Sequence, residues 1–413
     1  MFDYQNIAID NGSSMTKMGY SGNETPELII PTAISNIKEE KNLFGEIKNL
    51  QFYNFNNYYI GDKAIANRNS KIHDLEYPLI NGVIENFDLM EKFWEQSIYL
   101  YLRCDPSNHC FFLTDPPFNG PKERQISAEI FFETFGVLGL FMADSSLFSY
   151  YASTQYDFED NYRNNGTCVL VESGENVTQI TTYCEDFSFN KKFYFPINGK
   201  KITQYIKKML NERNEKIYKC DLNYAAEYIK EKYCYMANDL LEEFQKLDNK
   251  EYNLGEYIQN NNFKKFEGIG TISNKPFSIN LGYEQFLGPE LYFSPNMDIE
   301  NCEFNSIDEL IDFAILKNHK EYHKELYSNI ILTGGSTRFK NFNNRLEIQL
   351  KKRIEKRLGK NNGIDVKVHN LNSAQKELVW LGESILASND NTSVVSRNDY
   401  DELGINCFIE KVM

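Results

Sequence analysis

Ile7-Ala8-Ile9-Asp10-Asn11-Gly12-Ser13-Ser14-Met15-Thr16-Lys17 governs how the rest of the chain is read. An apolar run ends in an acid, a glycine-containing polar turn follows, and an apolar residue, Thr and Lys resume the extended pattern. That order predicts a tight β-hairpin whose turn presents backbone N–H groups, with a carboxylate and an ammonium aimed at the same spot. Such a turn suits a phosphate. A purely structural hairpin with a solvated turn has the same local pattern.

An echo 162 residues later strengthens the phosphate reading: Glu172-Ser173-Gly174-Glu175-Asn176-Val177-Thr178-Gln179 repeats acid, any, Gly, any, any, apolar, Thr, any. Both copies follow an apolar strand, here Val169-Leu170-Val171. Internal repetition weighs more on a fold assignment than a single motif. Two copies of one phosphate-facing hairpin predict two related α/β domains that share a nucleotide.

The chain has 413 residues, enough for two to four units with proper cores, and 41% of them are apolar, as in a globular protein. Its formal charge of −15 (44 basic against 59 acidic residues) argues against nucleic acid or an acidic membrane surface as main partner. The eight cysteines are irregularly spaced, Cys104 and Cys110 being the closest pair, and no CxxC occurs. Reduced thiols in a cytosolic or nuclear protein are the reading. The polar start Met1-Phe2-Asp3-Tyr4 is not a signal peptide, and no apolar run approaches the roughly 20 residues that span a bilayer. A soluble intracellular protein without membrane insertion is expected.

Along the chain, Glu27–Pro31 reads as a strand stopped by proline, and the Asn-rich residues 35–57 as a small mobile subdomain or loop layer. Asp88 is the candidate cap of a helix carrying Leu89, Met90, Phe93, Trp94 and Ile98 at helical spacing. Phe111–Thr114 is a strand, and Asn119 with Pro121 opens the next helix. Helical periodicity covers 201–210 and 225–244, residues 245–265 read as a surface excursion, and Phe277–Leu281 alternates like a half-buried strand. Ile330–Thr333 is a buried-type strand running into Gly334-Gly335-Ser336-Thr337. A helix with Phe342, Leu346, Leu350 and Ile354 on one stripe comes next. A Gly pair between strand and helix permits close approach of an anion or a planar base. A last apolar helix, 379–387, precedes an acidic tail. His319 and His323 lie four apart without the H-E-x-x-H pattern, so they read as surface histidines on a charged helix. Lys230-Glu231-Lys232 reads as a solvated helix face. No Walker loop, nucleophile elbow or kinase motif set is present.

Taken together, these residues resemble the actin family, on an actin-related branch of it rather than with actin itself. The resemblance is carried by Lys17–Asn23 with Leu28–Pro31, Tyr59–Asp62, Gly82–Glu91, Phe112–Pro117, Phe132–Phe135, Ile229–Lys232, Leu332–Thr337 and Val379–Gly382. The branch rests on Arg103–Pro106, Phe277–Ile279 and Gly282–Glu290. It implies an α/β actin-like ATPase fold: two duplicated domains in four subdomains around a nucleotide cleft. The subdomains would be 1–32, 78–152 and 377–413; 33–77; 153–197 and 289–376; and 198–288. It implies ATP or ADP with Mg²⁺. By position, Asp10 and Glu172 would hold waters around the metal. Gly12, Ser13, Ser14, Met15 and Lys17 would face the phosphates from one side, and Ser173, Gly174, Glu175, Asn176 and Val177 from the other. Lys230, Glu231, Gly334, Gly335, Ser336 and Lys376 would surround the adenosine. The implied role is structural, in a cytoplasmic, cytoskeletal complex (a nuclear one stays open). Its partners would be actin-related protein 2, further subunits, actin and a nucleation-promoting activator, with no nucleic acid. Joining another assembly, or an active ATPase on the same superfold, are the alternatives.

Departures from the family concentrate at the nucleotide. Glu172 stands where Asp is usual, shifting the carboxylate by roughly 1.5 Å, and Mg²⁺ is exacting about geometry. Asn176 and Ser14 replace glycines, and if Ser14 needs positive φ the cost is on the order of 1 kcal/mol. Ser145 occupies the position of a water-orienting Gln, and Gln179 that of a His, so very slow hydrolysis is expected. Arg338 replaces a Met beside the base, and Glu383 a Gly after Trp380.

Overall fold

The stretch 7–17 forms the hairpin its pattern predicts: Ile7–Asn11 and Met15–Tyr20 pair antiparallel, with Asp10 opposite Lys17. A computed structural model describes residues 5–37, 58–68, 73–155, 166–185, 191–213, 215–252, 264–360, 362–369, 371 and 374–408. The chain divides into two units, 1–157 with 377–413 and 158–376.

In the first unit, Ile7–Asn11 is an interior strand of a six-stranded sheet, which explains its unbroken apolar run. Its other neighbour, Cys110–Asp115, runs parallel, followed by Gly139–Asp144 and the short edge strand Val395–Ser396; Leu28–Pro31 closes the opposite edge. Helices Ser145–Gln155 and Leu378–Ala387 lie against each other, and the latter packs on Ile7–Asn11. Trp94, Phe93, Phe111, Phe131 and Phe132 fill the core beside the sheet. Ile34–Ile37, Tyr58–Ile60 and His73–Glu76 form a separate three-stranded sheet. The ends of the expected loop layer are thus strands, and residues 38–57 lie outside the described residues.

The second unit repeats the plan. Cys168–Ser173 and Thr178–Tyr183 form an antiparallel hairpin with Glu172 opposite Gln179, and Ile330–Thr333 runs parallel on the other side. Lys191–Phe195 and Val368–His369 complete five strands. Helices Gly199–Glu212, Leu222–Tyr233, Ile307–Leu316 and Phe342–Leu358 bury Ile202, Ile206, Ile229, Ile311, Leu346 and Leu350 in one core.

Several local expectations change. The cap of the helix Phe87–Gln96 is Asn86, whose side chain accepts from Leu89 N–H at 3.0 Å; Asp88 lies inside the first turn. Asn119 bonds Asp115 and Ile84 instead of capping, and Glu123 caps the Gly120 N–H before Pro121–Glu129. Periodicity over 225–244 spans two helices, Leu222–Tyr233 and Leu240–Tyr252. The connecting chain is drawn out because Tyr235 and Met236 donate their N–H groups to Gln285 O and Lys340 O, both at 2.9 Å. The second helix takes up the start of the expected excursion; 253–263 lie outside the described residues. The tail carries a helix, Arg397–Leu403, capped by Ser396. His319 precedes a 3₁₀ turn, and the helix that follows begins only at His323, so the two share no helix face. No disulfide joins cysteines among the described residues, and no helix there is long and apolar enough to cross a membrane.

Candidate functional site

The first turn is held from behind. Thr32 donates its hydroxyl to Gly12 O at 2.6 Å and its N–H to Ser14 O at 3.0 Å, and Trp94 Nε1 donates to Asn11 Oδ1 at 3.1 Å. Asn11 N–H donates to Thr114 Oγ1 at 2.6 Å. The Gly12 and Ser14 carbonyls are therefore engaged, while the N–H groups of Ser13 and Ser14 meet no acceptor among the described residues. Gly12 is required by crowding: a Cβ there would sit 2.5 Å from Met15 O. Ser14 does not have positive φ, so the strain expected of a serine does not arise. Met15, half-buried, opens the return strand, and Lys17 Nζ is hydrogen-bonded to Asp10 Oδ2, both residues buried.

The second turn shows the same division. Gly174 O accepts from Gly199 N–H and from Ser336 Oγ, each at 3.0 Å; Glu175 O accepts from Lys200 N–H at 2.8 Å; and Asn176 O accepts from Asn198 Nδ2 at 2.6 Å. The N–H groups of Glu175, Asn176 and Val177 meet no acceptor among the described residues. Asn176, like Ser14, does not use positive φ. Each hairpin thus turns its carbonyls inward and leaves amides unspent, the arrangement that binds an anion.

Behind the second turn, Ser173 Oγ shares hydrogen bonds with Thr178 Oγ1 at 2.6 Å and Tyr292 Oη at 2.5 Å. Burial pushes the Tyr292 hydroxyl up to about 12, against the pull of its hydroxyl neighbours, so it stays a neutral donor. Gln179 Nε2 donates to Glu172 Oε2 at 2.9 Å, in the register position that Lys17 and Asp10 hold in the first hairpin. Lys230 departs from the expected solvated face: it is buried, and its ammonium bonds Glu175 Oε2 at 2.9 Å and Gly199 O at 3.2 Å. Glu231 and Lys232 beside it are exposed.

The Gly334–Thr337 turn is rigid. Gly334 (φ +88°) lies where a Cβ would be 2.3 Å from Ser173 O, its N–H donates to Gln375 O at 3.1 Å, and Thr337 Oγ1 bonds Gly334 O at 2.7 Å. Gly335 faces open space, and exposed Arg338 and Lys376 flank the turn. Ser145, half-buried, begins a helix of the first unit. The structure thus gathers Asp10 with Gly12–Lys17, and Glu172–Val177 with Lys230, Gly334 and Ser336. Glu231 makes no hydrogen bond or ion pair with either group among the described residues, and Lys376 follows Gln375, whose carbonyl accepts from Gly334 N–H.

A profile of the family described as Actin matches residues 2–413. The chain belongs to the actin family. This actin-family chain is 36% identical to "Actin-related protein 3" of Acanthamoeba castellanii over 96% of its own length and 95% of the relative's. Identity to the proteins of that name from Dictyostelium discoideum and Drosophila melanogaster is 35%, over 96% of this chain and 94% of each relative. The mixed α/β units with paired hairpins are those of the actin-like ATPase fold.

The residues present suit the nucleotide and cation that an actin-family chain implies. Unspent amides at both turns can take phosphate oxygens. Asp10 and Glu172, at the same register position of the two hairpins, are carboxylates, the hard-oxygen chemistry that a divalent cation and its waters take. Sequence reading missed Thr32, Asn198 and Tyr292, whose roles depend on partners distant in the chain. Asn198-Gly199 ahead of an apolar helical pattern was the one local signal, as an N-cap.

Proposed function

We propose that this chain is a structural, ATP-binding subunit of an actin-related protein 2 and 3 type complex that nucleates branched actin filaments. Its nucleotide acts as a conformational strut and not as fuel. One observation supports the nucleotide part above others: both duplicated turns spend their carbonyls on the protein and keep their amides for an anion. Similarity over nearly full length to relatives named actin-related protein 3 supports the assembly part. In this reading Asp10 and Glu172 hold metal-bound waters, and residues 12–15, Lys17 and 173–177 meet the phosphates. Lys230, Glu231, Gly334, Gly335, Ser336 and Lys376 meet the adenosine. The four-subdomain division belongs to the same proposal.

Bound Mg²⁺ would supply charge neutralisation of the phosphates. The chain's own residues are poorly equipped to activate water. Ser145 is too short to orient one from its backbone position, and the Gln179 amide is committed to Glu172. Turnover by the isolated chain should therefore stay near background. The test is native co-purification with mass spectrometry, followed by an actin polymerisation assay with activator. Actin-related protein 2 in the complex and activator-dependent nucleation support the reading. Its absence, with other partners present, sinks the assembly part, and steady ATP turnover by the chain alone sinks the strut.

A further inference from the structure

Behind the second turn, three hydroxyl groups form a chain closed to bulk solvent. Ser173 and Thr178, the last register pair before the turn, bond each other through Oγ and Oγ1 at 2.6 Å, and Tyr292 Oη meets Ser173 Oγ at 2.5 Å. Exposure is 0% for Ser173 and Tyr292 and 1% for Thr178. Tyr292 comes from a separate element, just beyond the helix Glu284–Glu290. Packing alone does not call for its hydroxyl. The ring lies 6.5 Å from Phe195 and 5.2 Å from Phe342, centroid to centroid, in surroundings that a phenylalanine would fill as well. A buried hydroxyl is costly unless it meets a partner, and here the partner is Ser173. The first hairpin carries the same device at the same place. Its last register pair is Asn11 and Thr16; Trp94 Nε1, the polar tip of another buried ring, donates to Asn11 Oδ1 at 3.1 Å, and Thr16 Oγ1 bonds Thr32 Oγ1 at 2.8 Å. Aromatic residues from different parts of the chain thus pin the position that opens each turn.

We propose that Tyr292 is a positioning residue for phosphate: its hydroxyl, acting through Ser173, holds the second turn so that the N–H groups of Glu175, Asn176 and Val177 converge on the phosphates of a nucleotide. The inference rests on the nucleotide reading and deepens it, by naming what sets affinity for the phosphates as distinct from the base. Ser173 is joined directly to Gly174, so a shift at Ser173 moves the first peptide of the turn. Gly174 N–H donates to Val177 O at 2.9 Å, which carries that shift across the turn. Successive amides bind an anion only while they point at one spot. A loosened base of the turn therefore weakens the phosphate contacts and spares those to base and ribose.

The experiment uses the full chain with Mg²⁺, and lets ATP, ADP and adenosine compete in turn against a fluorescent ATP analogue. Tyr292→Phe keeps the ring and removes only the hydroxyl. It should weaken ATP and ADP about tenfold, the worth of one buried hydrogen bond, and leave adenosine within about twofold. Thr178→Val, which breaks the other arm of the hydroxyl chain at nearly constant volume, should show the same phosphate-selective loss and guards against misfolding of the first variant. Unchanged ATP affinity in both variants overturns the proposal while the nucleotide reading stands. Equal weakening of ATP, ADP and adenosine also overturns it, and leaves Tyr292 as a packing residue of the second core. Failure of the native chain to bind ATP at all removes the nucleotide reading and this inference with it.

Discussion

His369 and Glu290 are buried groups of the second unit whose titrations pull stability in opposite directions. Burial lowers His369 to about 4. Between that value and its ordinary 6.5 the unfolded chain binds the proton first, so stability falls as pH drops through this window, by about 3 kcal/mol in all. Burial raises Glu290 to about 7 despite Arg345 at 3.2 Å. Between 4.5 and 7 the native chain keeps a proton that the unfolded chain has lost, so its contribution is full at low pH. That contribution, also about 3 kcal/mol, is lost as pH rises through 7. From 4.5 to 6.5 the two slopes nearly cancel. Urea unfolding across that range should be almost flat in the native chain. His369→Gln should expose a stability that falls with rising pH, and Glu290→Gln one that rises. Parallel profiles for all three chains would refute the assignment. Lys230 offers a second test at this scale. Lys230→Met removes the ammonium from Glu175 and from Gly199 O, leaving both without it, and should cost about 2–3 kcal/mol in urea unfolding. A loss under 0.5 kcal/mol would return Lys230 to the solvated face that its local sequence indicates.

At the scale of elements, the second turn depends on the start of the helix Gly199–Glu212. Asn198 accepts from Lys201 N–H at 3.0 Å as the cap and donates to Asn176 O at 2.6 Å, so one side chain ties helix to turn. Asn198→Ala should cost about 1 kcal/mol for the cap and about 1 kcal/mol for the turn. Asn198→Ser, which keeps the cap but cannot span to Asn176, should recover only the first part. Equal losses would show that the tie to the turn contributes nothing. The contrast between these elements explains what was legible in sequence. Both hairpins and the strand–Gly334–helix unit were readable because apolar runs, turn residues and stripes are local patterns. The break between Leu222–Tyr233 and Leu240–Tyr252 was not, since no glycine or proline marks it. It is imposed by Gln285 O and Lys340 O, carbonyls far along the chain. The capping shift from Asp88 to Asn86 was within local reach, because both residues are good caps and only geometry separates them. The site was legible as positions and opaque as chemistry. Neither the Lys230–Glu175 pair, 55 residues apart, nor the full burial of Glu383 leaves a mark on neighbouring residues.

For the molecule as a whole, two units with separate cores and separate sheets set the expectation for unfolding. Domains with their own cores melt as cooperative blocks unless something links them, and a ligand stabilises only the block whose folded form it binds. The nucleotide reading calls on amides in both units, Ser13 and Ser14 in one and Glu175 to Val177 in the other. Calorimetry of the EDTA-stripped chain should therefore resolve two transitions. ATP with Mg²⁺ at 100 times its dissociation constant adds about 2.7 kcal/mol, and both midpoints should rise with ligand concentration. A rise of one midpoint with ATP would mean that a single turn holds the nucleotide. No rise of either would remove the nucleotide from the chain's function altogether, whatever its partners.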